Sequence, residues 1–359
     1  MFSALARSDW ALTGSLLFLA LASLVTIASA SSDPSLLWQQ GAWFSLALVA
    51  VVLLTYVDVQ PLFRYRWVVV GFYLVSLVSL VAVLLFAPVI RESRSWLPIG
   101  PLRFQPAELA KVALILLFAL FFARRHAGIA HLRTIFVSFL YVALPAVLVL
   151  LQPDWGSALV LLSLWVGVLL VSGLRLRHIA IGAALVAATG IASWYLALAP
   201  YQKDRIIGFL EPGYDPLGVN YSAIQAKVAI GSAGLFGAGF REGTQTQLGF
   251  LTEPATDFAF AAFIEEWGLI AGVMLVAAFL LAVVRILAIG RRSESTFTQF
   301  VCLTTAILFL VEFSLNVGSN IGLSPVVGVT FPFFSYGGSS ILTKGILIGI
   351  IQGAAARMH

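Results

Sequence analysis

The stretch WVVVGFYLVSLVSLVAVLLFAPVI, residues 67–90, carries no charge and is bounded by Arg64 and Arg66 on one side and by Arg91 and Glu92 on the other. An α-helix needs about 20 apolar residues to cross the hydrocarbon core of a bilayer, and this run supplies them. Working outward, similar runs lie at about 10–30, 36–57, 106–123, 134–151, 156–173, 178–199, 259–284, 298–318 and 335–356, separated by charged or Pro/Gly-containing turns. The pattern predicts an all-α, polytopic membrane protein with about ten transmembrane helices. Composition agrees: 60% of the 359 residues are apolar, 10% are charged, and the mean hydropathy is +1.00. A soluble domain carries roughly 25% charged residues, so too few charges are present to cover a wetted surface. A soluble globular protein is excluded. The first run is too long for a signal peptide and ends in no clear small-residue cleavage site.

An even number of spans puts both termini on one side, and the short loops on that side hold Arg7, Arg64, Arg66, Arg124, Arg125, Arg133, Arg175, Arg177, Arg285, Arg291, Arg292 and Arg357. Only Asp9, Asp58 and Glu294 face them. Positive charge in short loops marks the cytoplasmic side, so both termini are expected there. The long segment 200–257 then falls outside. Loops beyond about 15 residues are usually functional or disordered; this one is neither Ser-rich nor poor in aromatics and is expected to be folded, with an amphipathic helix over 220–230. The segment 316–334, rich in Gly and Pro, predicts irregular backbone, which membrane depth tolerates only against protein or a water-filled cavity. The chain thus reads as one transmembrane domain, 1–359, with one large extracytoplasmic loop, 200–257.

Several function classes fall away. The single Cys302 lies in an apolar run, which excludes a disulfide scaffold and any Cys-rich metal site. His126, His131, His178 and His359 sit in basic turns or at the terminus and suit solvated positions. No Gly-rich phosphate loop, HExxH or Cys/His cluster occurs, and no basic tail suits nucleic acid.

Charges inside or beside spans are costly unless paired or hydrated, so they mark functional candidates. Glu108 and Lys111 stand i,i+3 on one helix face, just after Pro106. They form either a local ion pair or part of an outward-facing polar cavity. Asp154, before Gly156 and Ser157, suits a helix cap. Asp257 stands where the long loop meets the next span, after Glu253 and before an apolar run. It either caps that helix or serves as a general base, its proton affinity raised by apolar surroundings. Glu265 and Glu266 are adjacent and cannot share a face, so at least one points inward. Glu312 and Lys344 are expected to partner across the bundle. In the long loop, Lys203 and Arg205 offer cations for phosphate, which Arg grips bidentately.

A set of ordered motifs then narrows the reading: RSWLPIG (94–100), QPAELAK (105–111), QPDWGSA (152–158), IQA (224–226), AIGS (229–232), Glu253 with Thr256-Asp257-Phe258, and FPFFSYGGSS (331–340), which contains Ser335 and Gly338. Together they resemble the SEDS family (shape, elongation, division and sporulation). FLEP (209–212), DPLG (215–218) and GTQTQL (243–248) are similar to its elongation branch rather than its division branch. The resemblance implies a ten-span glycosyltransferase that polymerises the lipid-linked peptidoglycan precursor lipid II, beside a class B penicillin-binding protein that cross-links the glycan. Where the family usually has Pro-Glu-x-His-Thr-Asp, this chain has Thr252 for the Pro and Ala255 for the His. The catalytic role therefore carries over to Asp257 and not to the His.

In the implied reaction a sugar hydroxyl attacks a donor carbon as a lipid-linked diphosphate leaves. Asp257 is the expected base. Lys111 and Arg205 are expected to stabilise the diphosphate, with Glu108 orienting Lys111, and Asp154, Glu253, Ser335 and Gly338 are expected to support the site. The sequence has no metal-ligand cluster of its own; a divalent cation, Mg or Mn, is an open possibility. The other reading is a flippase for the lipid-linked precursor, in which Glu108, Lys111, Glu312 and Lys344 would line a translocation path.

Overall fold

The computed structural model describes residues 7–31, 33–58, 60–88, 94–99, 102–125, 131–174, 176–196, 198–211 and 213–358. The expectations for His126, Arg175 and His359, and the motif residues Gly100 and Pro212, lie outside these. The described chain forms α1 (Trp10–Ala30), α2 (Pro34–Tyr56), a short α3 (Gln60–Arg64), α4 (Arg66–Phe86), strands β1 (Leu97–Ile99) and β2 (Leu102–Phe104), α5 (Pro106–Ala123), α6 (Leu132–Leu150) and α7 (Trp155–Val171). It continues with α8 (Leu176–Leu196), α9 (Pro200–Leu210), α10 (Tyr221–Ser232), α11 (Thr244–Gln247), α12 (Ala259–Arg292), α13 (Thr296–Ile321) and α14 (Gly338–Ala356). Nine of these helices are long and apolar enough to cross a membrane, and the 17-residue α7 is a shorter apolar tenth. At 1.5 Å per residue, α7 still reaches about 25 Å. The chain is a multi-pass membrane protein.

Helix starts follow local chemistry. Asp9 caps α1 by accepting from Leu12 N–H at 2.9 Å, and Asp33 caps α2 by accepting from Ser35 N–H at 2.9 Å. Pro34, Pro106 and Pro200 occupy first turns, where a missing N–H costs nothing. Helix α13 ends at Gly322, whose φ of 80° is left-handed.

Helices α5 and α14 are almost wholly buried and form the centre; α8 has no buried residue in its apolar window and lies outermost. The α14–α2 packing rests on Gly345, Gly349 and Gly353, spaced one turn apart. A Cβ on Gly345 would stand 2.8 Å from Ala47 Cβ, and one on Gly349 would stand 2.9 Å from Leu54 Cβ. Small residues at this spacing let helix backbones approach closely in a membrane, where lipid removes the hydrophobic drive for association.

Contacts at the helix ends define two faces. On one, Asp9 N–H donates to Gln352 Oε1 at 2.8 Å, Arg285 Nε donates to Asp9 Oδ2 at 3.0 Å, and Arg357 donates to Tyr56 O at 3.1 Å. On the other, Ser29 at the end of α1 donates to Glu266 near the start of α12. Both ends of the described chain therefore lie on the same, arginine-rich face.

The structure revises four boundaries. The span expected to stop at 284 runs on to Arg292, because Arg285 is neutralised by Asp9 and Arg291 and Arg292 lie in the last turn, at the helix end. The segment 316–334 is helical up to Ile321 and irregular only beyond it. Residues 200–257 hold three helices, α9, α10 and α11, rather than one, and Gly231 is helical. Strands β1 and β2 pair antiparallel, with Leu97 opposite Phe104, a small exception to the all-helical plan. In addition, His178 lies within α8 rather than in a turn.

Candidate active site

Asp257 sits half-buried in a tight turn ahead of α12. Glu253 starts the turn with a φ of 47°, and its carbonyl accepts from Thr256 N–H at 3.1 Å and Phe258 N–H at 3.3 Å. The Thr256 hydroxyl lies 3.3 Å from the Glu253 carboxylate. Two asparagines of α13 pin the turn: Asn316 and Asn320 donate to the Asp257 carbonyl at 3.1 and 2.9 Å. Asn320 Oδ1 also accepts from Ala261 N–H at 3.1 Å, and Phe258 at the cap position makes no side-chain cap bond. A side chain from the neighbouring helix thus satisfies an N–H that a local cap would have taken, and Asp257 stands one residue before the cap.

The irregular segment after α13 closes on this turn. Tyr336 N–H donates to Ala255 O at 2.8 Å, and Asn316 donates to Val329 O at 2.9 Å. Facing the Asp257 carboxylate is Gly328, where even a Cβ would stay 4.0 Å from Oδ2. One residue earlier, the Val327 carbonyl lies against Gly156 at the start of α7. Asp154 caps α7, accepting from Ser157 N–H at 3.0 Å and Ser157 Oγ at 2.8 Å, and it also accepts from Gln105 Nε2 at 2.9 Å. Its capping role is therefore the one the geometry displays.

The other charges gather elsewhere. Lys111 Nζ lies 2.7 Å from Glu108 Oε1 and 2.7 Å from Glu312 Oε1, and Lys344 Nζ lies 3.0 Å from Glu312 Oε2 and 3.9 Å from Glu108 Oε2. Lys344 also reaches the Ser340 hydroxyl. All four residues are buried. The two expected pairs thus merge into one neutral set joining α5, α13 and α14. A lone ammonium here would cost several kcal/mol, which explains why Lys111 is held by two carboxylates rather than presented to an outer cavity. Arg205 lies apart, exposed on α9, and Lys203 stands 5.8 Å from the Trp194 ring centre. The structure does not bring Lys111 and Arg205 together.

A profile of the family described as "Cell cycle protein", covering FtsW, RodA and SpoVE, matches residues 4–359. The chain belongs to the FtsW/RodA/SpoVE family. It is 36% identical over 307 residues to the peptidoglycan glycosyltransferase MrdB of Escherichia coli K12, covering 86% of this chain and 82% of that one. It is 33% identical over 361 residues to the probable peptidoglycan glycosyltransferase FtsW of Alkalilimnicola ehrlichii, covering 96% and 88%. Among solved structures it resembles a chain from a peptidoglycan synthase complex that coordinates polymerization and crosslinking, with 32% identity, a TM-score of 0.83 and 98% of both chains covered. It also resembles RodA of Thermus thermophilus, with 27% identity, a TM-score of 0.71 and 97% and 96% covered. The SEDS resemblance read from the motifs is borne out.

Within this FtsW/RodA/SpoVE chain, other motif residues are fixed by specific contacts of their own. Glu265 accepts from Gln245 N–H at 2.6 Å, Thr246 N–H at 3.1 Å and Thr246 Oγ1 at 2.7 Å, which ties the GTQTQ stretch to α12. Glu266 accepts from Ser29 and from Gln247 Nε2 at 3.1 Å, so both adjacent glutamates are buried acceptors. Ser335 accepts from Phe331 N–H at 3.1 Å within its own turn. At Gly338 an added Cβ would run into the Trp43 indole, so α14 can start against α2 only with glycine there.

The sequence reading missed Asn316 and Asn320; two asparagines at i,i+4 in an apolar helix were the available signal. It also missed a break in α12 at Gly268, with φ 82° and ψ 173°, a region open essentially only to glycine. Residues 234–239 splice into that break. Ala238 and Gly239 donate to the carbonyls of Glu265 and Glu266 at 2.9 and 3.0 Å, while Leu269 and Ile270 donate to those of Gly234 and Leu235 at 3.1 and 3.3 Å. Among the described residues no three His, Cys, Asp or Glu side chains gather as a metal cage.

Proposed function

We propose that this family member is a peptidoglycan glycosyltransferase that polymerises lipid II into glycan strands for cell elongation, with Asp257 as its general base. The observation that carries the proposal is the Asp257 turn: a carboxylate at the end of the bundle, its main chain pinned by Asn316 and Asn320, opposite the side-chain-free Gly328. Proton transfer from a positioned carboxylate contributes about 10²- to 10⁴-fold and requires fixed geometry.

In the reaction, the C4 hydroxyl of an acceptor sugar attacks C1 of the donor glycan. Asp257 takes the hydroxyl proton as the new C–O bond forms, the bond from C1 to the lipid-linked diphosphate breaks, and the diphosphate leaves with the electron pair. Cationic stabilisation of that leaving group falls to Arg205 on α9 in this reading, since Lys111 is engaged within the bundle. Among the described residues no cluster of three or more His, Cys, Asp or Glu side chains could cage a Mg or Mn ion.

The reading places the chain in a bacterial inner membrane with its termini in the cytoplasm and the 200–257 loop outside. The arginine-rich face that holds both ends supports that orientation. The partner in this reading is a class B penicillin-binding transpeptidase, supported by the likeness to a chain from a synthase complex.

The test is reconstitution of the protein with its transpeptidase in liposomes carrying labelled lipid II, scoring polymer formed and precursor moved. Asp257→Asn should lose polymer by at least about 10²-fold while melting at the wild-type temperature. Full polymerisation by that variant rejects Asp257 as the base, and precursor movement without polymer rejects the transferase in favour of a flippase.

A further inference from the structure

On the arginine-rich face, the start of α1 and the ends of α12 and α14 enclose a cavity of about 270 Å³, far from the Asp257 turn. Its walls include Arg7, Arg285, Arg292, Asp9, Trp10 and Met358. Asp9 is the single carboxylate among them, and Arg285 engages it through Nε at 3.0 Å. Gln352 of α14 holds the Asp9 main chain from the other side, donating to its carbonyl at 3.0 Å. Three guanidinium groups against one carboxylate leave the lining with an excess of two positive charges. Trp10 is 62% exposed at the rim, the position in which an indole sits at the bilayer interface.

We infer that this cavity binds the phosphodiester headgroup of an anionic membrane lipid. Guanidinium groups match phosphate oxygens bidentately and are less strongly hydrated than ammonium groups. Basic pockets between transmembrane helices on the positive side take anionic headgroups. A water molecule's share of liquid volume is about 30 Å³, so the cavity has room for a phosphoglycerol unit displacing several waters. The acyl chains would leave past Trp10, where the rim meets the membrane. The site joins three helices that are far apart in sequence, one of which, α12, carries the Asp257 turn at its opposite end.

Native mass spectrometry of the full-length protein in mild detergent, titrated with phosphatidylglycerol, phosphatidylcholine or inorganic phosphate, tests the assignment. Phosphatidylglycerol should bind at one equivalent with clear preference over phosphatidylcholine. Arg292→Gln should weaken it about fivefold, and Arg7→Gln with Arg292→Gln on the order of thirtyfold, from the attraction of each basic side chain for an anionic surface. Arg291→Gln, in the same last turn but outside the cavity wall, should leave binding within about twofold. Equal loss in the Arg291→Gln variant, or equal binding of phosphatidylcholine, would overturn the site. Displacement of the lipid by millimolar inorganic phosphate would overturn the lipid assignment in favour of a free anion. Arg292 is exposed at a helix end, so its variant reads binding without the risk of misfolding.

Discussion

Lys111 and Glu312 stand 201 positions apart in the chain and 2.7 Å apart in the fold, and between them they join α5 to α13 at the centre of the bundle. With Glu108 and Lys344 they make a neutral set sealed from solvent. Removing one member leaves an uncompensated charge in a low-dielectric interior, whereas removing an opposite pair leaves none.

Glu312→Gln is accordingly expected to cost about 3–5 kcal/mol, read as a lowered thermal midpoint in detergent. Glu312→Gln combined with Lys344→Gln should recover much of that loss. A single variant as stable as wild type would show that the set is not held by charge.

The Asp257 turn depends on two amides from α13. Asn320→Ala removes a bond to the Asp257 carbonyl and the acceptor for Ala261 N–H. Polymerisation by the reconstituted protein should fall by roughly 10- to 100-fold, since a misplacement of about 1 Å can cost 10², with a destabilisation of only about 1–3 kcal/mol. Unchanged turnover would mean that the turn holds its shape without Asn320.

Gly268→Ala places a Cβ on a backbone with φ 82°, beside the Leu235 carbonyl and Gly237 N–H. Strain of at least about 1–3 kcal/mol follows. The measurable outcome is faster proteolysis within residues 234–249 of the long loop, and wild-type resistance would refute the tight splice.

The Asp9–Arg285 pair makes a pH prediction. Burial opposes ionisation of Asp9, but the hydrogen bonds from Arg285 and Leu12 N–H prevail and hold its carboxyl below the ordinary value of 3.8. A depressed carboxylate stabilises the fold above its unfolded pKa and loses that contribution as pH falls through the folded one. The stability gap between wild type and Asp9→Asn should therefore stay constant from neutrality down to about pH 5 and close only below 3.8. A gap that closes near neutrality would contradict the pairing.

Much of this architecture was legible in the sequence because the bilayer imposes a length: uncharged runs such as 67–90 have few alternatives to a span. The same constraint made Glu108, Lys111, Glu312 and Lys344 conspicuous, and the two expected pairs exist. Their merger into one set was not legible, since it depends on how α5, α13 and α14 pack, and that merger turned Lys111 away from the role expected with Arg205. Asp257 stood out through its motif, but its support by Asn316 and Asn320 did not, because a side chain that caps a different helix leaves no periodic trace. The break at Gly268 was hidden for a related reason. One glycine in an apolar run signals little until the loop that fills the gap is seen.

That filled gap has a mechanical consequence. Four main-chain bonds weld residues 234–239 to both sides of the fracture, so the stub of α12 that follows Asp257 and this strap form a single stiff bracket. The strap cannot be dragged sideways, whatever takes hold of it, without shifting the footing of the carboxylate or snapping those welds.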